Sequence, residues 1–182
     1  MVMSAHPITV EQYEASFERV PGFHDELING RIVTTPDAKP LHQQIQRNIQ
    51  RLLDAACEGT PYTVNGGSNI KFPALHSMPS PDVFVVPTDK WEAAAESNSY
   101  LEGPPLIAVE ILSPDQNADE KVDIYRRAGV KSIWVVDPRE RSVLVYSQDS
   151  QYLYPDGDRI GLPFPLSVEI GVADIFVKPS KR

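Results

Sequence analysis

The chain reads as an α/β domain in which a mixed β-sheet core is flanked by helices. Three observations predict this. The periodic segments run helix, hairpin, helix, strands, helix, strand, an order that puts helices over a central sheet. The apolar stretch at 106–112, the helical stretch at 119–128 and the apolar stretch at 132–136 have the spacing of a βαβ unit. The run from Pro105 to Pro114, rich in Ile, Leu and Val, has the character of a strand buried on both faces. A chain of 182 residues, 41% hydrophobic and 23% charged, is large and apolar enough for a single domain spanning 1–182 without covalent staples.

The elements follow in order. Thr9 and Gln12 have capping-box spacing and predict a short helix reaching about residue 19, ended by Pro21 and Gly22. Residues 26–33 form a hairpin signal, because Asn29-Gly30 suits a tight turn between two apolar arms. Residues 34–40, with Pro36 and Pro40, read as a loop. Ile45, Ile49, Leu52, Leu53 and Ala56 recur at helical spacing and predict a long helix over 41–57, stopped at Gly59-Thr60-Pro61. Residues 62–72 read as a strand pair or a bulged strand around Gly66-Gly67, and a strand at 83–86 is entered through Pro79 and Pro81. Residues 88–103 are polar and predict a short helix and loop. After the βαβ unit, Asp137-Pro138 makes a turn. Residues 141–147 and 151–154 predict a terminal hairpin, followed by a C-terminal β extension over 163–177.

Composition excludes several classes. One cysteine, Cys57, allows neither an intrachain disulfide nor a Cys-rich zinc site. The first twenty residues carry Glu11, Glu14, Glu18 and Arg19 and lack the apolar core of a signal peptide. No stretch has the length and apolarity of a membrane span, so a cytoplasmic protein without membrane contact is expected. The net charge of −8 runs against a general polyanion binder, although bound cations can supply positive charge locally.

Two acids stand where acids are costly. Glu110 lies in the middle of the most apolar strand, with Ala108, Val109, Ile111 and Leu112 around it, and needs a partner or a cation. Asp82 opens another apolar strand directly after Pro81. If those strands are neighbours, both carboxylates reach one point and form a hard oxygen set suited to Mg²⁺, Mn²⁺ or Ca²⁺. Lys121 shares a helix face with Ile124, Tyr125 and Ala128, so it heads an inward-facing row. A solvated strand Glu, a turn Asp and a snorkelling Lys are the plainer readings.

Taken in order, Pro81-Asp82, Glu110-Ile-Leu-Ser-Pro114, Lys121, Tyr125, Gly129-Val130 and Trp134-Val-Val-Asp-Pro138 resemble the Uma2 family, with Glu26-Leu-Ile-Asn-Gly30 and His42 upstream. This is a branch of the PD-(D/E)xK nuclease superfamily, and its members are often described as restriction-endonuclease candidates. The resemblance covers about 8–176. It implies a restriction-endonuclease-like fold with a four-stranded mixed sheet, and Mg²⁺ (or Mn²⁺) on Asp82 and Glu110. In the parent superfamily the lysine lies two residues after the acid. Leu112 occupies that position here, and the resemblance moves the role to Lys121.

Glu26 matches the family's upstream acid and is a further ligand, a water-holder or a turn carboxylate. His42, at the start of the long helix, either caps and packs or takes part in the chemistry. Tyr125 reads as a packing residue. The function expected is metal-dependent endonucleolytic hydrolysis of phosphodiester bonds, with DNA as the partner nucleic acid. The alternative is a non-catalytic interaction domain on the same fold. A homodimer is expected, formed through some of Trp134, Tyr146, Tyr152, Tyr154 and Phe164.

Overall fold

The computed structural model describes residues 6–16, 21–114 and 116–178. Helix α1 (Val10–Ser16) is opened by the expected capping box: Gln12 N donates to Thr9 Oγ1 at 3.2 Å and Thr9 N to Gln12 Oε1 at 2.9 Å. Its expected extension to residue 19 lies outside the described residues. Strands β1 (Phe23–Ile28) and β2 (Arg31–Pro36) form the hairpin, and Asn29 (φ 48°) and Gly30 (φ 74°) supply the left-handed pair that its turn requires. Pairing continues from Ile28↔Arg31 to Phe23↔Pro36, so residues 34–36 are strand rather than loop. Proline is tolerated there because it stands at the strand's end.

Helix α2 (Pro40–Cys57) begins on a proline, which is preorganised for a first turn. Strands β3 (Tyr62–Asn65) and β4 (Ile70–Lys71) do not pair with each other. The first joins β5 (Val83–Pro87), and the second pairs in parallel with β6 (Leu101–Glu102), which follows helix α3 (Thr88–Glu96). The βαβ unit is β7 (Ile107–Ile111), α4 (Asp119–Ala128) and β8 (Ser132–Asp137). The terminal hairpin β9 (Ser142–Tyr146) and β10 (Gln151–Tyr154) precedes a small extension of β11 (Arg159–Gly161), β12 (Glu169–Gly171) and α5 (Val172–Ile175).

The central sheet has six strands in the order β10-β9-β8-β7-β5-β3, where four were expected. The difference comes from the hairpin β9–β10, which continues the sheet beyond β8. Only β7 and β8 run parallel; the other neighbours are antiparallel, so the sheet is mixed.

Side-chain alternation divides the core into two layers. Val83, Val85, Ile107, Val109 and Ile111 face α2 through Ile45, Ile49 and Leu53. Phe84, Val86, Ala108 and Ile133 face α4 through Val122, Ile124 and Tyr125. Strands β5 and β7 are therefore covered on both sides, as the apolar run at 105–114 predicts. Trp134 is fully buried in the first layer, which removes it from any surface for self-association.

Gly66, just beyond β3, lies directly against the backbone of Asp82. A Cβ placed there would collide with the Asp82 carbonyl oxygen. Gly66→Ala is expected to displace the entrance of β5 and to cost about 1–3 kcal/mol, the scale of overpacking. Chemical denaturation of the variant and the parent chain measures it, and equal midpoints would show that this approach carries no constraint.

Candidate active site

The site lies where β5 begins and β7 ends. Strand β5 runs antiparallel to β7, so its entrance meets the C-terminal half of β7. Asp82 N donates to Val109 O at 3.0 Å, and Asp82 Oδ2 accepts from Ile111 N at 2.7 Å. Backbone and side chain of Asp82 thus bracket Glu110. The two acids expected to meet belong to neighbouring strands, and the negative charge of Asp82 acts on Glu110.

Each acid is held from a different layer. On the α2 side, His42 Nε2 stands 3.3 Å from Asp82 Oδ2, and Gln46 Nε2, one turn later, donates to Asp82 O at 2.7 Å. On the α4 side, Tyr125 OH donates to Glu110 Oε1 at 2.6 Å and Lys121 Nζ to Glu110 Oε2 at 2.7 Å. The ammonium also lies 2.8 Å from Glu26 Oε1 and donates to Ser80 O at 3.2 Å. Glu26 comes from the hairpin, where it is the fourth residue of β1, and Ser80 N donates to the same Oε1 at 2.5 Å. It is a buried partner of Lys121 and not a turn or capping carboxylate.

Burial sets the electrostatics. Glu26 and Glu110 are only 4% and 6% exposed. Burial pushes the Glu110 carboxyl well above the ordinary carboxylate range; Lys121 pulls it back, and the charges of Asp82 and Glu26 raise it further. For Lys121 burial works against the ammonium, but Glu110, Glu26 and Asp82 outweigh it and hold the proton firmly. Burial also opposes a charged His42, and the hydrogen bond and charge of Asp82 overcome that, so its pKa is raised. Two carboxylates, Glu26 and Glu110, thus hold one ammonium, and Asp82, bonded to the backbone on either side of Glu110, has an imidazole behind it.

Glu26, Glu110 and Lys121 share one set of side-chain contacts and line one cleft, while Asp82 and His42 form a second pair joined to the first through the backbone of Ile111, next to Glu110. Tyr125 does more than pack: it is fully buried and its hydroxyl is a partner of Glu110. Its position one helical turn from Lys121 was the available signal. Gln46 was not singled out in the sequence, although it lies four residues after His42 on the same helix face. Among the described residues, no group of three or more His, Cys, Asp or Glu side chains is arranged to hold a metal ion.

The fold is shared with a solved structure. A crystal structure at 1.96 Å resolution of "a putative nuclease belonging to DUF820" from Anabaena variabilis ATCC 29413 superposes with a TM-score of 0.77, covering 93% of this chain and 98% of that one at 21% identity. Fold and family define a nuclease-type α/β protein. The model of the Uma2 family, described as "Putative restriction endonuclease", matches residues 10–173, and the chain belongs to that family. No curated protein matches it.

The lysine carries the electrostatic balance of this site. Lys121→Met leaves Glu26 and Glu110 buried without their cation, a loss expected to cost about 3–5 kcal/mol at neutral pH. The sign with pH is fixed. Removing Lys121 raises the folded-state pKa of Glu110 further above its ordinary 4.5, so stability present below that value is lost as pH rises. Because the Glu110 carboxyl of the parent is already raised to about 8, both proteins lose this stability alike from pH 4.5 upward, and the difference in melting temperature should stay level to about pH 8 and widen over the range above it. A difference that stays constant there as well would count against a lysine that balances buried carboxylates.

Proposed function

We propose that the protein is a metal-dependent endonuclease that hydrolyses phosphodiester bonds in nucleic acid, with DNA as its substrate, and that it acts in the cytoplasm as a homodimer. One observation carries the reading: a half-buried ammonium is held by two buried carboxyl groups, Glu26 and Glu110, with Asp82 opening the neighbouring strand beside them. The site sets three carboxyl groups against one ammonium and one imidazole, and a divalent cation there would draw the raised Glu110 carboxyl back to its ionised form. Its donors are hard oxygens, which match Mg²⁺ or Mn²⁺. Asp82 and Glu110 would hold the ion, with water and substrate completing its coordination. When bound, such an ion supplies a water of lowered pKa and neutralises charge on the phosphate.

The chain's own groups divide the remaining work. Lys121, whose three N–H groups go to Glu110, Glu26 and Ser80 O, would act on the attacking water or a phosphate oxygen through its charge, stabilising the negative charge that develops there. Glu26 and Ser80 O fix that ammonium in place. Tyr125 orients Glu110 through one oxygen while Lys121 takes the other. His42 and the Ile111 amide orient Asp82, and Gln46 holds its backbone. The net charge of −8 is the observation that favours the second reading, a non-catalytic interaction domain.

Cleavage assays separate the two. With supercoiled, linear and single-stranded DNA in Mg²⁺ or Mn²⁺, Asp82→Asn and Glu110→Gln are each expected to lower cleavage by about 10²-fold or more while circular dichroism is retained. Lys121→Ala loses activity to a similar degree yet still binds Mn²⁺ by calorimetry, and Lys121→Arg restores little, because a guanidinium differs in shape and hydration. Undiminished cleavage by Glu110→Gln would place the active site elsewhere. A parent chain that cuts none of these substrates would favour the interaction domain.

Assembly has its own test. Tyr152 and Leu153 on the edge strand β10 are 60% and 55% exposed, and Phe164 is 85% exposed, which supports a self-association surface there. Sedimentation is expected to give twice the chain mass of 20.3 kDa for the parent and the single chain mass for Tyr152→Glu/Leu153→Glu. A parent chain that sediments as a monomer at micromolar concentration removes the dimer.

A further inference from the structure

We propose that the cleft beside Asp82 receives one unpaired nucleobase bearing an exocyclic amino group, so that single-stranded or locally opened nucleic acid is the substrate class of this site. The catalytic consequence rests on the nuclease reading; the binding itself does not.

The cleft holds about 360 Å³ and is walled by the start of β1, the loop after β3, α2 and Asp82. That volume lies in the range of small-molecule sites and suits one base rather than a duplex. Two aromatic residues line it and are partly exposed, Phe23 at 44% and Tyr100 at 37%, the Tyr100 ring having Lys71 Nζ 6.0 Å from its centroid. Singly, an exposed ring means little. Two on one cleft next to the proposed metal ligand make a stacking platform of the kind that binds unpaired bases.

The polar lining selects what enters. Among the described residues no Lys or Arg lines the cleft, while Asp25, Asp37 and Asp82 do. A phosphate is repelled there and a neutral base is not. The neutral amides are also turned into acceptors. Asn69 spends both N–H groups of its Nδ2 on Asp25 O and Met78 O, and Gln46 spends one of its two on Asp82 O, so each has its carbonyl oxygen left to offer. His24 is engaged with Thr35 and faces Asp37. An acceptor-rich wall matches the amino groups of adenine, cytosine and guanine and mismatches the carbonyl edge of thymine or uracil.

Cations lie on the other side of the site. A second cleft of about 260 Å³ is lined by Lys39 and Arg139 together with His42 and Leu112. Base and backbone thus have separate places: the base in the acidic aromatic cleft, the following phosphate towards Lys39 and Arg139. A chain of net charge −8 has little general attraction for phosphate, and stacking supplies affinity that charge does not.

Binding is measured by fluorescence anisotropy on the full chain in Ca²⁺, with fluorescein-labelled single strands of twelve dA, dC or dT, and with the dA strand annealed to its complement. The dA and dC strands are expected to bind about tenfold more tightly than dT or the duplex. Phe23→Ala/Tyr100→Ala should lose about tenfold for dA and dC and little for dT, with a melting temperature unchanged within a few degrees. A strand carrying 2-aminopurine should show quenched emission with the parent chain and not with the double variant. Equal affinity for dA, dT and duplex, or a double variant that binds dA like its parent, overturns the proposal whether or not the protein cleaves. Discrimination without cleavage of any substrate upholds the base cleft and sets the nuclease reading aside.

Discussion

A carboxylate in a strand covered on both faces has to be compensated, and much of the architecture around the site follows from how Glu110 is compensated. Its oxygens cannot turn to bulk water, because β7 has α2 over one face and α4 over the other. The nearer layer therefore brings partners inward: Lys121 and Tyr125, one turn apart on α4, take one oxygen each. Lys121 then has to be held as well, and Glu26 does this from a hairpin outside the central sheet. Sheet, helix and hairpin are joined through one ammonium. A charge pair this enclosed is poor as a source of net stability but costly to break, so its effect is to fix the relative position of three elements.

The placement of the lysine has a simple geometric basis. Residues two apart on a strand share a face, so Leu112 and Glu110 point to the same side of β7. An ammonium at 112 would approach the carboxylate along the sheet. Helix α4 covers that same side, and from its first turn Lys121 approaches from above. The same point is reached by either route, which is why an apolar residue at 112 does not leave the acid unpaired. Leu112 lines both the cleft of Glu26, Glu110 and Lys121 and the one that holds His42.

The sequence made some of this plain and hid the rest for physical reasons. Glu110 stood out because its neighbours were apolar on both faces, and Lys121 because its helical row was otherwise a packing stripe. The helix at 119–128 and the hairpin turn at Asn29-Gly30 were legible because periodicity and turn chemistry are local. Glu26 was ambiguous, since its partner lies 95 positions away in the chain and no local pattern reports such a contact. Tyr125 was read as packing because an aromatic in a buried row needs no further explanation, although a buried tyrosine hydroxyl must find an acceptor. The six-stranded sheet was missed for a related reason: alternation shows that residues 142–154 form a hairpin, but not which edge it extends.

Two readings of the site compete, and energetics favours one of them. If the fold served only as a docking surface, Glu26, Asp82 and Glu110 would be better replaced by amides or apolar residues, because ionised groups in a covered site are seldom worth their desolvation. Glu26 and Glu110 share Lys121, Asp82 draws on His42, and the crowding of negative groups helps to hold the Glu110 carboxyl well above its ordinary range. Excess charge of one sign at a buried point is unfavourable in the empty protein and becomes favourable when a cation arrives. On the nuclease reading proposed above, the acidity of the chain as a whole is no objection: positive charge near the phosphate would come with the ion, and the carboxylates that repel nucleic acid would be the groups that recruit it.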